Sequence, residues 1–342
     1  MVLEFLTRNW ERLSLERFGP PSQLSFVLAT PRFRASGHVV FLVLARRQTK
    51  PILVAKVPRL PGDHTRLNRE AANLKEIHSA RPGGFHSIPL VIAYEDWCGI
   101  HMLVETALTG HPMSALLVRR QTQSCINAIM AWLTDLHSAT ASRAADAADW
   151  FERLVERPLD QLRSTLPVSA GEQWMLEKTE EVATLLRHVD LPLVFEHGDL
   201  SSPNILVLEN GSAGVVDWEL GESRSLPGVD LFFFLTFVAF ARRRARRLQD
   251  YLKAFHEAFF GPEAWARSYV TCYAKALQLP HELLTPLFVL CWSRYVAKLV
   301  ARLNSGSSRL PEKETVAWLR ANRFYALWHH TIDHRRELNW TN

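Results

Sequence analysis

Three polar side chains near the middle of the chain have the types and spacing that a phosphoryl transfer needs. The string H-G-D-L-S-S-P-N occupies positions 197–204, and Asp217 follows thirteen residues after Asn204. Phosphoryl transfer requires one carboxylate to orient the attacking hydroxyl, and oxygen ligands to hold Mg²⁺ against the nucleotide phosphates. We therefore predict that Asp199 is the catalytic carboxylate and that Asn204 and Asp217 bind the metal.

The gap between Asp199 and Asn204 matches the pattern H-x-D-x-x-x-x-N of kinases, and Asp217 stands where kinases place a second metal carboxylate. Taken singly, Asp199 could be a turn or cap residue, and Asp217 could simply end a strand. The joint spacing around a short hairpin favours the chemical interpretation.

Three further polar residues flank this group. We expect His197 to fix the loop through hydrogen bonds rather than to act as a base. Glu219 could contact the metal or the substrate, or it could face solvent, and the sequence favours neither alternative. Asp230 is predicted to cap the next helix and to bond the backbone of the catalytic loop.

A lysine in an apolar strand could supply the positive charge for the nucleotide phosphates. Lys56 lies in the run I-L-V-A-K-V at 52–57, and Glu70 follows it by fourteen residues in a predicted helix. A lysine in a partly dry cleft needs a fixed counter-charge to hold its ammonium group. We predict a Lys56–Glu70 ion pair, with Glu76 as the alternative partner, although a lone strand lysine is more often solvated.

The loop that covers the phosphates is predicted between the first two strands, within residues 30–38. This loop contains one glycine and therefore no G-x-G-x-x-G pattern. Ser36 and Gly37 could offer a hydroxyl or backbone N–H groups to phosphate oxygens. A plain hairpin turn is equally compatible with these residues.

Hydrophobic periodicity predicts the elements that position these residues. Residues 1–23 form a helical extension. The predicted strands are 24–30, 39–45, 52–57, 90–95, 100–105, 193–196, 205–208 and 214–218. The predicted helices are 66–80, 122–138, 151–166, 172–189 and most of the chain beyond Asp230. This order indicates an α+β protein, with a nucleotide-binding lobe over 1–105 and a larger, mostly helical lobe over 106–342 that carries the catalytic loop, the metal site and the acceptor pocket.

Composition narrows the class of protein. The 342 residues are 47% hydrophobic and 22% charged, with a net charge of +5, which is ordinary for a globular enzyme and too mild to indicate a nucleic-acid binder. The longest apolar run, 231–241, is shorter than the roughly 20 residues that span a bilayer. The arginine-rich segment 242–247 could meet anionic lipid or nucleic acid, but such a segment is more often the solvated end of a helix. Four cysteines without C-x-x-C spacing suggest reduced thiols and a cytoplasmic location.

These motifs resemble those of the aminoglycoside phosphotransferase/choline kinase family, which has a two-lobed protein-kinase-like fold. The resemblance rests on the string at 197–204, on V-V-D-W-E at 215–219 and on L-P-G-V-D-L at 226–231. It implies phosphorylation of a hydroxyl with ATP or GTP and Mg²⁺, and it places the adenine near Glu105, Thr106 and Ala107. The chain lacks the A-P-E segment expected of protein kinases, which favours a small-molecule acceptor.

The acceptor is the least constrained part of the prediction. Sugar-like metabolites, amino alcohols and aminoglycoside-type antibiotics all carry suitable hydroxyls. Arg224 and the arginines at 242–247 argue against a strongly acidic pocket and hence against a polycation. Tryptophans could stack on a sugar or cage an ammonium group, although helical tryptophans are more often core residues; the candidates are Trp265, Trp292, Trp318 and Trp328. A nucleotide-binding pseudokinase and a protein kinase remain alternative functions.

Overall fold

The polypeptide divides into two units in a computed structural model that describes residues 1–29, 37–46, 48–60, 62–146, 149–166, 169–304 and 312–340. The first unit comprises Met1–Met113 and Ser202–Glu222, and the second comprises Ser114–Ser201 and Ser223–Asn342. The segment that carries Asn204 and Asp217 therefore packs with the N-terminal strands. The lobe boundary near residue 106 stays a prediction, and Ser36 lies outside the described residues.

A five-stranded antiparallel sheet forms the centre of the first unit. Its strands are β1 Ser25–Ala29, β2 His38–Leu44, β3 Leu53–Pro58, β4 Val91–Trp97 and β5 Ile100–Thr106. They are arranged in the order β1-β2-β3-β5-β4, so β3 lies inside the sheet. Lys56 on β3 lies opposite Leu103 on β5, and Val54 lies opposite Glu105. Because opposed residues share a face and alternate residues return to it, Lys56 and Glu105 lie on one face of the sheet.

The two faces of this sheet are covered by different helices. Helix α1 (Val2–Arg8) packs Phe5 and Leu6 against the face that carries Leu53, Ala55 and Val57. Helix α2 (Thr65–Ser79) packs Leu67 and Ala71 against Leu103 on the opposite face. The alternation along β3 thus sends its aliphatic side chains into one core and its lysine towards α2.

The remaining strands form two small sheets. These strands are β6 Gly110–Pro112, β7 Ser142–Arg143, β8 Pro192–Glu196, β9 Ile205–Leu208, β10 Ala213–Val215 and β11 Glu222–Ser225. The predicted hairpin is present as β9 and β10, with Gly211 in its turn at a φ of +79°. The predicted strand 214–218 ends early, at Val215, because Asp217 has a φ of +69°. Strand β8 lies in the separate β11-β8-β7 sheet.

Helices make up most of the second unit. They are α3 Ala115–Arg120, α4 Thr122–Thr140, α5 Arg157–Thr165, α6 Ala170–Ala183, α7 Val229–Arg243, α8 Leu248–Phe259, α9 Arg267–Ala276, α10 Leu284–Asn304, α11 Glu312–Ala321 and α12 Arg323–His334. Within the described residues, His281–Leu303 is long and apolar enough to cross a membrane by length and composition. However, 78% of its apolar window is buried inside the protein, as in a core helix.

The arginine-rich segment joins α7 to α8. Arg244 ends α7 in the left-handed conformation, and the Asp250 carboxylate accepts hydrogen bonds from the backbone N–H of Arg246 and Arg247. Arg243 pairs with Glu257 of α8. These contacts are those expected of a helix end and the start of the next helix, and a role at a membrane stays untested.

We expect Phe5→Ala to lower the free energy of unfolding by about 3–5 kcal/mol, because it empties a fully buried site beneath the sheet. Urea unfolding followed by circular dichroism measures this loss. Phe26→Ala is the matched control, since Phe26 is 44% exposed on β1 and should cost on the order of 1 kcal/mol. Equal losses in the two variants would contradict the packing of α1.

Candidate functional site

Lys56 lies in a nearly dry environment between two carboxylates of the first unit. Its Nζ is 2.5 Å from Glu70 Oε1 and 3.1 Å from Glu105 Oε1, and all three side chains are at least 94% buried. Burial alone lowers the pKa of Lys56, but the charges of Glu105 and Glu70 outweigh it, so its pKa lies above the usual value. The ammonium group therefore remains charged and fixed in position.

Glu70 also binds the segment that follows β10. Its Oε1 accepts a hydrogen bond from the backbone N–H of Trp218 at 3.0 Å. Asn73, one turn further along α2, donates from Nδ2 to the carbonyl oxygens of Trp218 (2.8 Å) and Gly221 (3.0 Å). Glu76, the alternative partner of Lys56, is exposed. Asn73 escaped the sequence analysis, although its spacing of three from Glu70 places both polar residues on the buried face of the helix.

Glu105 has a contact that the sequence did not predict. Its side chain binds Lys56, and burial raises the pKa of Glu105 to about 7. The backbone N–H groups of Thr106 and Ala107 donate to Leu90 (2.9 Å) and Ile52 (3.3 Å) within the first unit. An adenine contact at this link stays a prediction. The inward direction of the Glu105 side chain follows from the register between β5 and β3, and the sequence does not reveal that register.

Asp217 supplies a carboxylate oxygen suited to a cation. Its Oδ1 is buried and has no hydrogen-bond partner among the residues that the structure describes. A buried, unsatisfied carboxylate oxygen is costly, and a bound cation removes that cost. Asn204 is buried directly before β9, and its carbonyl oxygen accepts a hydrogen bond from Val216 N–H at 3.0 Å. The two predicted metal ligands thus lie at the same end of the β9–β10 hairpin.

Glu219 faces inward rather than towards solvent. Its side chain is 13% exposed, with Arg66 Nη1 at 3.3 Å and His38 Nδ1 at 3.5 Å. One ligand atom from each of His38, Asp217 and Glu219 lies within 4.8 Å of the other two. Burial and the neighbouring Asp217 raise the pKa of Glu219 to about 7. Burial and the charge of Lys56 lower the pKa of His38 to about 4, so this imidazole stays neutral.

The carboxylates of Asp217 and Glu219 and the amide of Asn204 are hard oxygen donors, which Mg²⁺ prefers. Together with the unsatisfied oxygen of Asp217, this donor set fits a magnesium ion. Gly37 lies close to this group, since a Cβ atom there would lie 3.3 Å from Arg66 Cδ. The sequence analysis missed His38 and Arg66, because neither residue belongs to a recognisable pattern.

The second unit holds the proposed catalytic loop through its backbone. The Asp230 carboxylate accepts hydrogen bonds from the N–H groups of His197 (2.6 Å) and Gly198 (3.0 Å). The N–H of Asp199 donates to His197 Nδ1 at 3.2 Å. Asp230 does not cap α7 as predicted, because Gly228 is the N-cap and the Asp230 carboxylate is engaged by the loop. Burial raises the pKa of Asp230 to about 7.

A buried polar layer lies next to this loop. Gly228 N–H donates to the Tyr273 hydroxyl at 3.0 Å, and that hydroxyl lies 2.5 Å from His137 Nδ1. Glu196, directly before the loop, pairs with Arg294 at 2.9 Å and with Lys298 at 2.6 Å. Burial alone raises the pKa of Glu196, but Arg294 and Lys298 together hold it below its usual value. These residues on α4, α9 and α10 thus hold the turn before α7 and the side chain of the residue two positions before the loop glycine.

Two of the four candidate aromatic platforms belong to the core. Trp292 and Trp328 are fully buried, and Trp328 Nε1 donates to Thr179. They are therefore not available to an acceptor. Trp318 is 40% exposed, and Trp265 is half-buried beneath the guanidinium group of Arg242.

Comparisons with known proteins address the family and the fold. The profile of the phosphotransferase enzyme family matches residues 33–269. No curated protein sequence matches the chain. A thermostable mutant of aminoglycoside phosphotransferase APH(4)-Ia, in ternary complex with ADP and hygromycin B, is 13% identical with a TM-score of 0.54, covering 94% of this chain and 98% of that chain. Choline kinase LicA from Streptococcus pneumoniae is 13% identical with a TM-score of 0.52, covering 93% and 99%. This likeness confirms the predicted α+β, protein-kinase-like fold.

We expect Glu70→Ala to lower the free energy of unfolding by about 3–5 kcal/mol, because it leaves a buried lysine with one partner fewer and frees the Trp218 N–H. Amide hydrogen exchange in β3 and after β10 should rise in parallel. Glu76→Ala on the exposed face of the same helix should change stability by no more than about 0.5 kcal/mol. A wild-type exchange pattern in Glu70→Ala would show that this carboxylate does not join the two segments.

Proposed function

Because this chain belongs to the phosphotransferase enzyme family, we propose that it transfers the γ-phosphoryl group of ATP or GTP to a hydroxyl of a small molecule. The observation that carries this proposal is the Glu70 carboxylate, which is shared by Lys56 and by the backbone next to Asp217. A protein without phosphoryl-transfer chemistry has no evident need to bury a lysine between two carboxylates beside an unsatisfied aspartate.

In this proposal the first unit holds the nucleotide. Lys56 contacts the phosphates with an ammonium group that Glu70 and Glu105 keep charged and oriented. Asn204 and Asp217 would hold Mg²⁺, and Glu219 would add a third oxygen donor next to Asp217. The ion, when bound, neutralises charge that develops on the phosphate oxygens during transfer.

The second unit supplies Asp199. This carboxylate orients the acceptor hydroxyl and takes its proton, while the hydroxyl oxygen forms a bond to the γ-phosphorus. The bond between the γ-phosphorus and its bridging oxygen breaks, and the nucleoside diphosphate leaves. His197 and Asp230 act as positioning residues, since they accept hydrogen bonds from the backbone N–H groups of Asp199 and of the two residues before it.

The acceptor class is the finer part of the proposal. We favour a hydroxylated, sugar-like metabolite, with amino alcohols and aminoglycosides as further members of the class. The hygromycin B complex of one structural relative and the choline kinase activity named for another support small polar acceptors. A cytoplasmic location suits a reaction that consumes ATP in the presence of Mg²⁺.

We predict Mg²⁺-dependent ADP release in a screen of sugars, amino alcohols and aminoglycosides, and a loss of about 10²–10⁴-fold in kcat for Asp199→Asn. Nucleotide affinity, measured by calorimetry, should stay near the wild-type value in that variant. Asp160→Asn, an exposed site on α5, is the matched control.

Two outcomes would redirect this proposal. Nucleotide binding without turnover on any acceptor would favour the pseudokinase alternative, and phosphate transfer to a protein alone would favour a protein kinase. Unchanged turnover in Asp199→Asn would remove the catalytic assignment of that residue.

We further predict that Asp217→Asn abolishes the Mg²⁺-dependent part of the thermal shift caused by nucleotide, because the neutral amide weakens cation binding. The shift is measured with and without Mg²⁺ by differential scanning fluorimetry. Asp63→Asn, an exposed change in the same unit, should retain the full shift. A wild-type response in Asp217→Asn would contradict its role as a ligand.

A further inference from the structure

Three histidines of the second unit converge on one point between two helices. His256 lies on α8, and His330 and His334 lie one turn apart on α12. One nitrogen from each imidazole lies within 4.8 Å of the other two. We propose that this cluster binds a transition-metal dication of the Zn²⁺ type and thereby links α8 to α12.

The separations of the nitrogens suit such an ion. His256 Nδ1 lies 3.1 Å from His330 Nε2. Two nitrogens bound to one tetrahedral zinc at about 2.0–2.1 Å are separated by roughly 3.3 Å. His334 follows His330 by four residues, so both imidazoles point from the same face of α12. The ligand atom of His334 lies within 4.8 Å of the other two, and three imidazole nitrogens leave the fourth tetrahedral position for water.

The backbone contact of His334 leaves one of its nitrogens available to a metal ion. His334 Nδ1 lies 3.0 Å from the carbonyl oxygen of His330, and because a carbonyl only accepts, Nδ1 carries the proton and Nε2 is free to bind. Glu337 Oε2 lies 4.0 Å from His256 Nε2, on the outer side of that ring.

Aromatic packing orients these rings before any ion arrives. His256 stacks on Phe260 with ring centroids 5.3 Å apart, and Phe260 meets His330 edge-on at 5.2 Å. The rings of His330 and His334 are stacked at 4.0 Å. The His256 side chain is 39% exposed, so an ion can enter from solvent.

The ligand chemistry separates this site from the magnesium ligands of the first unit. Imidazole nitrogen favours Zn²⁺, Ni²⁺ and Cu²⁺, whereas Mg²⁺ takes oxygen ligands. The residues of the histidine cluster have no part in the proposed phosphoryl transfer. An experiment that contradicts the phosphoryl-transfer proposal would therefore not contradict the histidine site, and the reverse also holds.

The test is a titration of metal-stripped, full-length protein without a histidine tag, with Zn²⁺ as the probe and millimolar Mg²⁺ present. We expect one saturable site per chain, a rise in the melting temperature on zinc addition, and a d–d absorption band of tetrahedral type with Co²⁺. His256→Ala and His334→Gln should each weaken the affinity at least 10-fold and abolish the thermal response.

His329→Ala is the matched control, because this residue lies on the same helix but faces Asp333 at 2.8 Å. It should bind zinc as the wild type does. Melting curves without zinc show whether each variant is folded, and His256→Ala changes a ligand whose side chain is 39% exposed. The proposal is overturned by wild-type affinity in His256→Ala, by equal losses in His329→Ala, or by the absence of saturable binding.

Discussion

The shared carboxylate of Glu70 is the interaction on which the first unit depends. A lysine inside a sheet is tolerated only when its charge is matched, and Glu70 provides that match at 2.5 Å. The same oxygen binds the Trp218 N–H, which lies 148 residues further along the chain. One buried charge thus determines both where the lysine points and where the segment with Asp217 lies. Asn73 strengthens the connection by binding two carbonyls of that segment.

Negative charge exceeds positive charge around Lys56, and this imbalance suits a cation site. Glu70, Glu105 and Asp217 each have one buried carboxylate oxygen without a hydrogen-bond partner within the described ranges. Burial and neighbouring carboxylates raise the pKa of both Glu105 and Glu219 to about 7. A group of acids with raised pKa values is typical of functional sites, where local stability is given up for binding. A divalent cation would offset this excess of negative charge and would then attract an anionic phosphate.

In the second unit, the loop that carries Asp199 has no regular secondary structure, and hydrogen bonds from other segments hold its backbone. Asp230 binds two consecutive N–H groups of the loop, and Tyr273 and His137 satisfy the turn that precedes α7. Because these partners come from several helices, the loop geometry depends on the packing of the whole unit. Trp292 and Trp328, two of the tryptophans predicted as possible ligand platforms, are buried in the aromatic core of this unit.

The sequence by itself determined the α+β class and the order of the main strands and helices, and it predicts which residues take part in phosphoryl transfer. These features depend on local periodicity and on short spacings, such as the five residues between Asp199 and Asn204. The preference for Glu70 over Glu76 as the partner of Lys56 also depends on a local spacing, namely the positions of apolar residues on the same helix. Strand 214–218 was predicted too long, because a positive φ at Asp217 leaves no pattern in the sequence.

Only the tertiary structure decided which distant side chains meet. The contact of Glu105 with Lys56 depends on the register between β3 and β5, and the approach of His38 to Glu219 joins the start of β2 to the turn after β10. The histidine cluster likewise brings His256 to His330 across 74 residues. Such contacts follow from the packing of many apolar surfaces at once, so no local spacing specifies them.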